Sequence, residues 1–194
     1  MPSEASVPQV TVLAGPTSVG KSTLSRYIRA TYPQVHFSVS ATTRPARPGE
    51  VHGEDYLFIT DHQFDELLAE DAFLEWAVVH RKHRYGTLLA TVEEALADGK
   101  NVLLEIDLQG ARQVRNKLRS AQFVFLAPPS FDDLVERLIG RGTESEEEQQ
   151  RRLETARIEL AAEPEFDVTI INDEIDRAAR ELIAHMGIEL TTNA

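Results

Sequence analysis

Near the N-terminus, Gly15-Pro16-Thr17-Ser18-Val19-Gly20-Lys21-Ser22-Thr23 follows the pattern G-x-x-x-x-G-K-[ST], between an apolar run and a stretch with helical period. This spacing suits a polyphosphate. The glycines let successive backbone N–H groups point inward at phosphate oxygens. A helix that begins there adds its positive dipole end. Lys21 supplies a point charge for the β- and γ-phosphates, and the Ser22 hydroxyl a ligand for Mg²⁺. The loop therefore predicts a nucleoside triphosphate site walled by Gly15 through Thr23. It does not say what receives the phosphate, because hydrolases, switches, motors and kinases all use such loops.

Other residues bear on the acceptor. Ser40 to Glu50 carries Arg44 and Arg47 in a loop stiffened by Pro45 and Pro48. Arginine forks suit bidentate phosphate binding, and stiffness lowers the ordering cost; a solvated basic loop fits as well. Glu75 lies beside Trp76 where an apolar run meets a loop, a place for a functional carboxylate or for a structural salt bridge. Asp107 follows the apolar run Val102 to Ile106, at the strand end where α/β sheets bind ligands. It could equally cap the helix after it.

The elements that must position these groups follow from periodicity. Strands are expected at Val10–Ala14, Val35–Ala41, Tyr56–Thr60, Phe73–Val79, Asn101–Ile106, Gln122–Ala127 and Asp167–Ile171. Helices are expected at Lys21–Thr31, from His62 with Asp61 as N-cap, at Leu88–Asp98, Leu108–Leu118, Ser130–Gly140, Ser145–Glu163 and Glu174–His185. Such alternation predicts an α/β fold: a parallel sheet with helices on both faces, interrupted by a less parallel insertion around residues 40–90. The 194 residues, 42% hydrophobic and 27% charged, fit one globular domain. The absence of cysteine excludes disulfides, thiolate metal sites and a cysteine nucleophile. No apolar run approaches the ~18 residues of a membrane span, and Met1 to Gln9 has no signal-peptide core, so a cytoplasmic location is expected. With a net charge of -12, non-specific nucleic-acid binding is disfavoured, and any polyanion must be held by local cations.

Together, the phosphate loop, Ser40 to Glu50, Gly53-Glu54-Asp55-Tyr56, Phe73-Leu74-Glu75-Trp76-Ala77 and Tyr85-Gly86-Thr87 resemble the guanylate kinase family. So do Leu104-Glu105-Ile106-Asp107-Leu108-Gln109-Gly110, Ala127-Pro128-Pro129-Ser130 and Arg137 to Glu144, in order over nearly the whole chain. The resemblance implies a P-loop nucleoside monophosphate kinase fold over residues 8–188, with a core (8–38, 98–130, 157–188), a GMP-binding insertion (39–97) and a lid (131–156). It implies transfer of phosphate from ATP to GMP, with Mg²⁺, and GMP, dGMP and ATP as partners. No nucleic acid, membrane or obligatory protein partner is expected. By the same resemblance, Arg44, Arg47, Tyr56 and Tyr85 hold the GMP phosphate, while Ser40, Glu75, Thr87 and Glu105 read the guanine. Lys21, Arg44, Arg141 and Arg152 act on the transferring phosphate, with Arg137 close by. Asp107 joins Ser22 at the metal, and Asn172 touches adenine.

The chemistry is compatible with these roles. Guanine presents N1–H and N2–H₂ donors that suit an acceptor-only carboxylate, which would repel N1 of adenine. Two departures stand out. Glu105 occupies a position where Asp is common, and one residue is inserted between Trp76 and Tyr85, in the stretch Val79-His80-Arg81-Lys82-His83-Arg84. That basic stretch reads as a solvated loop or as a long-range attractor for a nucleotide. His80 and His83 lack the carboxylate or cysteine partners of a metal site. Glu146-Glu147-Glu148 reads as a first-turn cluster complementing a helix dipole. A kinase for another phosphorylated acceptor, a GTPase-type switch and a non-catalytic binding module remain as alternatives.

Overall fold

A computed structural model describes residues 8–79, 82–139 and 146–189. Five parallel strands, β1 (Val10–Ala14), β2 (Val35–Phe37), β7 (Asn101–Glu105), β8 (Gln122–Ala127) and β9 (Val168–Ile171), form one sheet in the order β2-β7-β1-β8-β9. Parallel strands need crossovers, and helices supply them. One face carries Leu13, Val124 and Leu126 under Leu24 and Ile28 of α1 (Lys21–Thr31), Leu134 of α5 (Phe131–Ile139) and Leu182 of α7 (Ile175–His185). The other carries Val10, Val12 and Leu104 under Val92 of α3 (Leu89–Ala97) and Val114 of α4 (Leu108–Lys117). Every residue of β1 is buried, as a strand covered on both faces requires.

The insertion forms a second sheet, β4-β3-β6-β5, from β3 (Ala41–Thr42), β4 (Leu57–Phe58), β5 (Phe73–Val79) and β6 (His83–Leu88). Its pairings are mixed: β3 with β4 parallel, β3 with β6 and β5 with β6 antiparallel. A small core of Ala41, Phe64 and Phe73 lies under α2 (Asp61–Ala69), with the two phenyl rings stacked 4.4 Å apart. The strand expected over 35–41 is therefore two. Its first half joins the parallel sheet, Ser38 to Ser40 carry the chain across, and Ala41 opens the second sheet. β6 was not expected as a strand, because its His83-Arg84-Tyr85-Gly86 half has no apolar alternation; cross-strand pairing creates it.

Two helix boundaries also differ from expectation. Thr60, not Asp61, caps α2. Its hydroxyl accepts from Gln63 N–H at 3.2 Å while the Gln63 side chain accepts from Thr60 N–H at 2.9 Å, a reciprocal capping box. The long helix α6 runs Glu146–Leu160, and Glu163–Glu165 forms a separate 3₁₀ turn holding Pro164. Among the described residues, no helix is long and apolar enough to cross a membrane.

The tightest passage lies between β1 and α1. Gly15 has φ +152°, and a β-carbon there would overlap the Leu126 carbonyl oxygen on β8. Backbone cannot yield as a flexible side chain can, so Gly15→Ala should cost about 2–4 kcal/mol. For a chain of this length that corresponds to a melting temperature lower by roughly 5–15 °C in calorimetry. A melting point within 2 °C of wild type would show that the passage is not tight.

Candidate active site

Where β1 ends, the chain turns through Ser18 (φ +65°) and Gly20 (φ +105°) directly into α1. Lys21 folds back so that Nζ donates to the carbonyls of Gly15 at 2.6 Å and Pro16 at 3.1 Å. Burial lowers its pKa, opposed by the charges of Glu159, Glu105 and Asp107. The loop is braced from the far side of the sheet. Asn172, just after β9, donates its side-chain amide to the Val19 carbonyl at 2.8 Å, and Arg137 of α5 donates to the same oxygen at 3.0 Å. Gly20 has no room to change while Asn172 is present, since a β-carbon would lie 2.6 Å from Nδ2. Arg152 of α6 donates to the Ser18 hydroxyl at 3.3 Å, and the Thr17 N–H donates to Glu159 at 2.7 Å. A cleft of about 660 Å³ opens over this loop, lined by Ser18, Gly20, Lys21, Ser22, Thr23, Arg26, Arg137, Arg152 and Asn172. Arg141 lies outside the described residues.

A neighbouring cavity of about 370 Å³ is lined by Ser22, Arg29, Ser40, Asp55, Tyr56, Thr87 and Glu105. At its rim the Arg44 guanidinium is fully oriented: Nε donates to the Tyr85 hydroxyl at 3.0 Å, and the fork meets Glu50 at 2.8 and 2.9 Å. Tyr56 lies edge-on to Tyr85, with centroids 5.8 Å apart and the Arg44 guanidinium 5.4 Å from its ring centre. The inserted residue after Trp76 thus leaves Tyr85 beside Arg44. Glu50 also accepts from the Arg47 backbone N–H at 2.7 Å, and these bonds hold its carboxyl below the usual range. The Arg47 side chain is exposed.

Deeper in, Glu75 is only 7% exposed. Thr87, its cross-strand partner, donates both its hydroxyl (2.6 Å) and its N–H (3.0 Å) to Oε1. Burial pushes the Glu75 carboxyl up, and nearby Asp107 adds to this, while the Thr87 bonds oppose it. Gly110 makes the space, since a β-carbon there would lie 3.0 Å from Glu75 Oε2. Asp107 does cap α4, accepting from Gly110 N–H at 2.7 Å. Glu105 instead faces the phosphate loop and accepts from the Ser22 hydroxyl at 2.8 Å. Of the two acids flanking Ile106, Glu105 meets Ser22 and lines the acceptor cavity, while Asp107 acts on both Glu75 and Lys21 through its charge.

The family model of guanylate kinase matches residues 8–187. The chain belongs to the guanylate kinase family. A guanylate kinase from Leifsonia xyli is 58% identical over 177 residues, spanning 91% of this chain and 70% of that protein. One from Streptomyces coelicolor is 55% identical over 177 residues, spanning 91% and 89%. A solved guanylate kinase from Anaplasma phagocytophilum superposes with a TM-score of 0.71 at 28% identity, covering 97% of this chain and 89% of that one.

Within this guanylate kinase site, three residues escaped sequence reasoning. Glu50 and Glu159 act through long-range pairing that acidic composition hides, although Glu50 does follow Arg47 by three residues. Arg29, in the last turn of α1, reaches the acceptor cavity while its guanidinium lies 3.8 Å from the Phe37 ring centre. The basic stretch resolves in part. Arg84 is committed to Asp61 and Asp65 of α2, so it is structural; His80 and Arg81 lie outside the described residues.

The buried carboxylate has a consequence for stability. A folded pKa raised above the unfolded one favours the folded state at low pH, and that advantage is lost as pH rises through the raised value. Glu75→Gln keeps an oxygen for Thr87 and removes the titration. It should melt above wild type at pH 7, with the gap closing as pH falls from the raised value to the ordinary carboxylate value. A variant melting below wild type at pH 7 but level with it at low pH would show that the charge stabilises the fold.

Proposed function

We infer that the chain catalyses ATP + GMP ⇌ ADP + GDP in guanine nucleotide metabolism. The observation that carries this reading is the buried Glu75–Thr87 pair beside a cavity whose wall includes Ser22 of the phosphate loop. Thr87, bonded to that carboxylate, and Ser22 of the phosphate loop thus line one cavity. Guanine N1–H and N2–H₂ would donate to Glu75, with Asp107 close enough to share the exocyclic amine, while Ser40 and Thr87 line the same cavity. The ribose hydroxyls have no assigned acceptor in this scheme, so dGMP should serve as well.

Arg44, Tyr56 and Tyr85, already brought together, would hold the GMP phosphate, joined by Arg47 as the loop closes. Glu50 keeps the Arg44 fork aimed before substrate arrives. On the donor side, the Gly15 to Thr23 loop would wrap the ATP phosphates. Lys21 would turn from two carbonyls to the transferring group, and Arg152, Arg141 and Arg137 would close over it. Asn172 spends its amide donor on Val19 and retains Oδ1 for adenine.

The oxygen set of Ser22 and Glu105, 2.8 Å apart, with Asp107 nearby, suits a hard divalent cation whose remaining ligands are phosphate oxygens and water. Mg²⁺ bound there would neutralise charge on the β- and γ-phosphates. Residues 39–97 would then be the GMP-binding part, 131–156 the lid and the rest the core. The protein substrates are small nucleotides, which fits a cytoplasmic enzyme.

In a coupled assay, ADP release from Mg-ATP should depend on GMP, with AMP, CMP and UMP poor. ATP hydrolysis indifferent to GMP would overturn the assignment. Lys21→Met should lower kcat by about 10²–10⁴-fold, because its charge acts most strongly on the transition state. Glu75→Gln should lower kcat/KM for GMP by about 10–150-fold while AMP activity falls less. An unchanged GMP:AMP ratio would make Glu75 purely structural.

A further inference from the structure

Among the described residues, β5 is the edge strand of the second sheet, paired only with β6 in the order β4-β3-β6-β5. An edge strand presents alternate N–H and C=O groups with no strand to meet them. At Trp76, both of these groups are met by one side chain. Gln113 Oε1 accepts from Trp76 N–H at 3.1 Å, and Gln113 Nε2 donates to Trp76 C=O at 2.8 Å. The primary amide thus imitates the missing strand for one residue. That residue is the immediate neighbour of Glu75, whose carboxyl group lies against Gly110 and is bonded by Thr87, a residue of the cavity wall.

The helix that supplies Gln113 also supplies the other walls of the carboxylate. Asp107 caps α4, Gly110 leaves space for Glu75 Oε2, and Gln113 lies one turn further along, so the three share one face at i, i+3 and i+6. Below them Lys117 donates to the Phe73 carbonyl at 2.6 Å. The contact joins an element anchored in the parallel sheet to the edge of the second sheet. A sideways slip of β5 would change the distance from Glu75 to Asp107 and to the cavity. A neutral amide is the one side-chain group of this length that offers one donor and one acceptor in the spacing a peptide unit needs.

We propose that Gln113 is a positioning residue for guanine selection: its amide locks Trp76 to α4 and so fixes where the Glu75 carboxylate meets the base. This rests on reading Glu75 as the base-reading group. The two can fail separately, since Glu75→Gln tests that reading and Gln113 variants test this one.

The experiment measures kcat and KM for GMP, AMP and ATP, together with melting temperature, in Gln113→Met, Gln113→Glu and Lys117→Met. Methionine keeps length and volume and removes both hydrogen bonds. It should raise KM for GMP about five- to twentyfold and lower the GMP:AMP ratio of kcat/KM, leaving KM for ATP within about twofold. Gln113→Glu keeps the acceptor for Trp76 N–H but sets a carboxylate against Trp76 C=O. It should impair GMP binding near neutral pH and recover part of it as pH falls, when the protonated carboxyl regains a donor. Lys117→Met removes a different bond on the same seam, so it should lower the melting temperature while keeping the GMP:AMP ratio. If Glu75→Gln alters selectivity but both Gln113 variants keep the wild-type GMP KM and GMP:AMP ratio, the proposal is overturned. Equal rises in KM for GMP and ATP, or the same selectivity loss in Lys117→Met, would overturn it too, by showing a general loosening.

Discussion

A backbone that must leave a buried strand and start a helix without room for a β-carbon sets the plan of this molecule. At Gly15 the chain passes against the Leu126 carbonyl, and everything above that point is arranged around the loop that results. Because β1 lies between β7 and β8 and all five strands are parallel, their C-terminal ends open on the same side. That geometry delivers Glu105 from β7 to the Ser22 hydroxyl and Asn172 from the end of β9 to the Val19 carbonyl. Strand order, more than loop sequence, decides which residues meet that loop.

The second constraint is electrostatic. A protein of net charge -12 binds two polyanionic nucleotides, so cations cannot be scattered. Three described cations are held by local partners: Arg44 by Glu50 and Tyr85, Lys21 by two carbonyls, and Arg152 by Ser18. Each contact fixes the direction of a charged group in advance, and a charge held in place needs less reorganisation than a loose one.

Legibility in the sequence follows the range of the interaction. The phosphate loop, β1, β8 and α1 were readable because contiguous residues determine them, and Glu75 and Arg44 could be singled out by type and neighbours. The break at Ser38 to Ser40 was hidden, because apolar runs do not say which sheet they join. β6 was hidden because its pairing with β3 and β5 overrides a polar composition. Asp107 was open between a strand-end ligand site and a helix cap; it caps α4 through Oδ1, and its charge is felt at Glu75. Glu105 and Asp107, two residues apart, would share one face of an extended strand; they part because β7 ends at Glu105 while Asp107 caps α4, a boundary that spacing alone does not reveal.

One close approach bears on how the chain can drift. Gly20 and the Asn172 amide occupy adjoining space at opposite ends of the sequence, with only 2.6 Å between Nδ2 and the β-carbon that any other residue would bring. Asn172 also ties down Val19, so shortening it to admit a side chain at position 20 would release the loop it secures. The left-handed backbone at Gly20 adds a separate barrier. A side chain at position 20 would have to turn the Asn172 amide away from Val19, so two residues about 150 positions apart limit each other's choice of side chain.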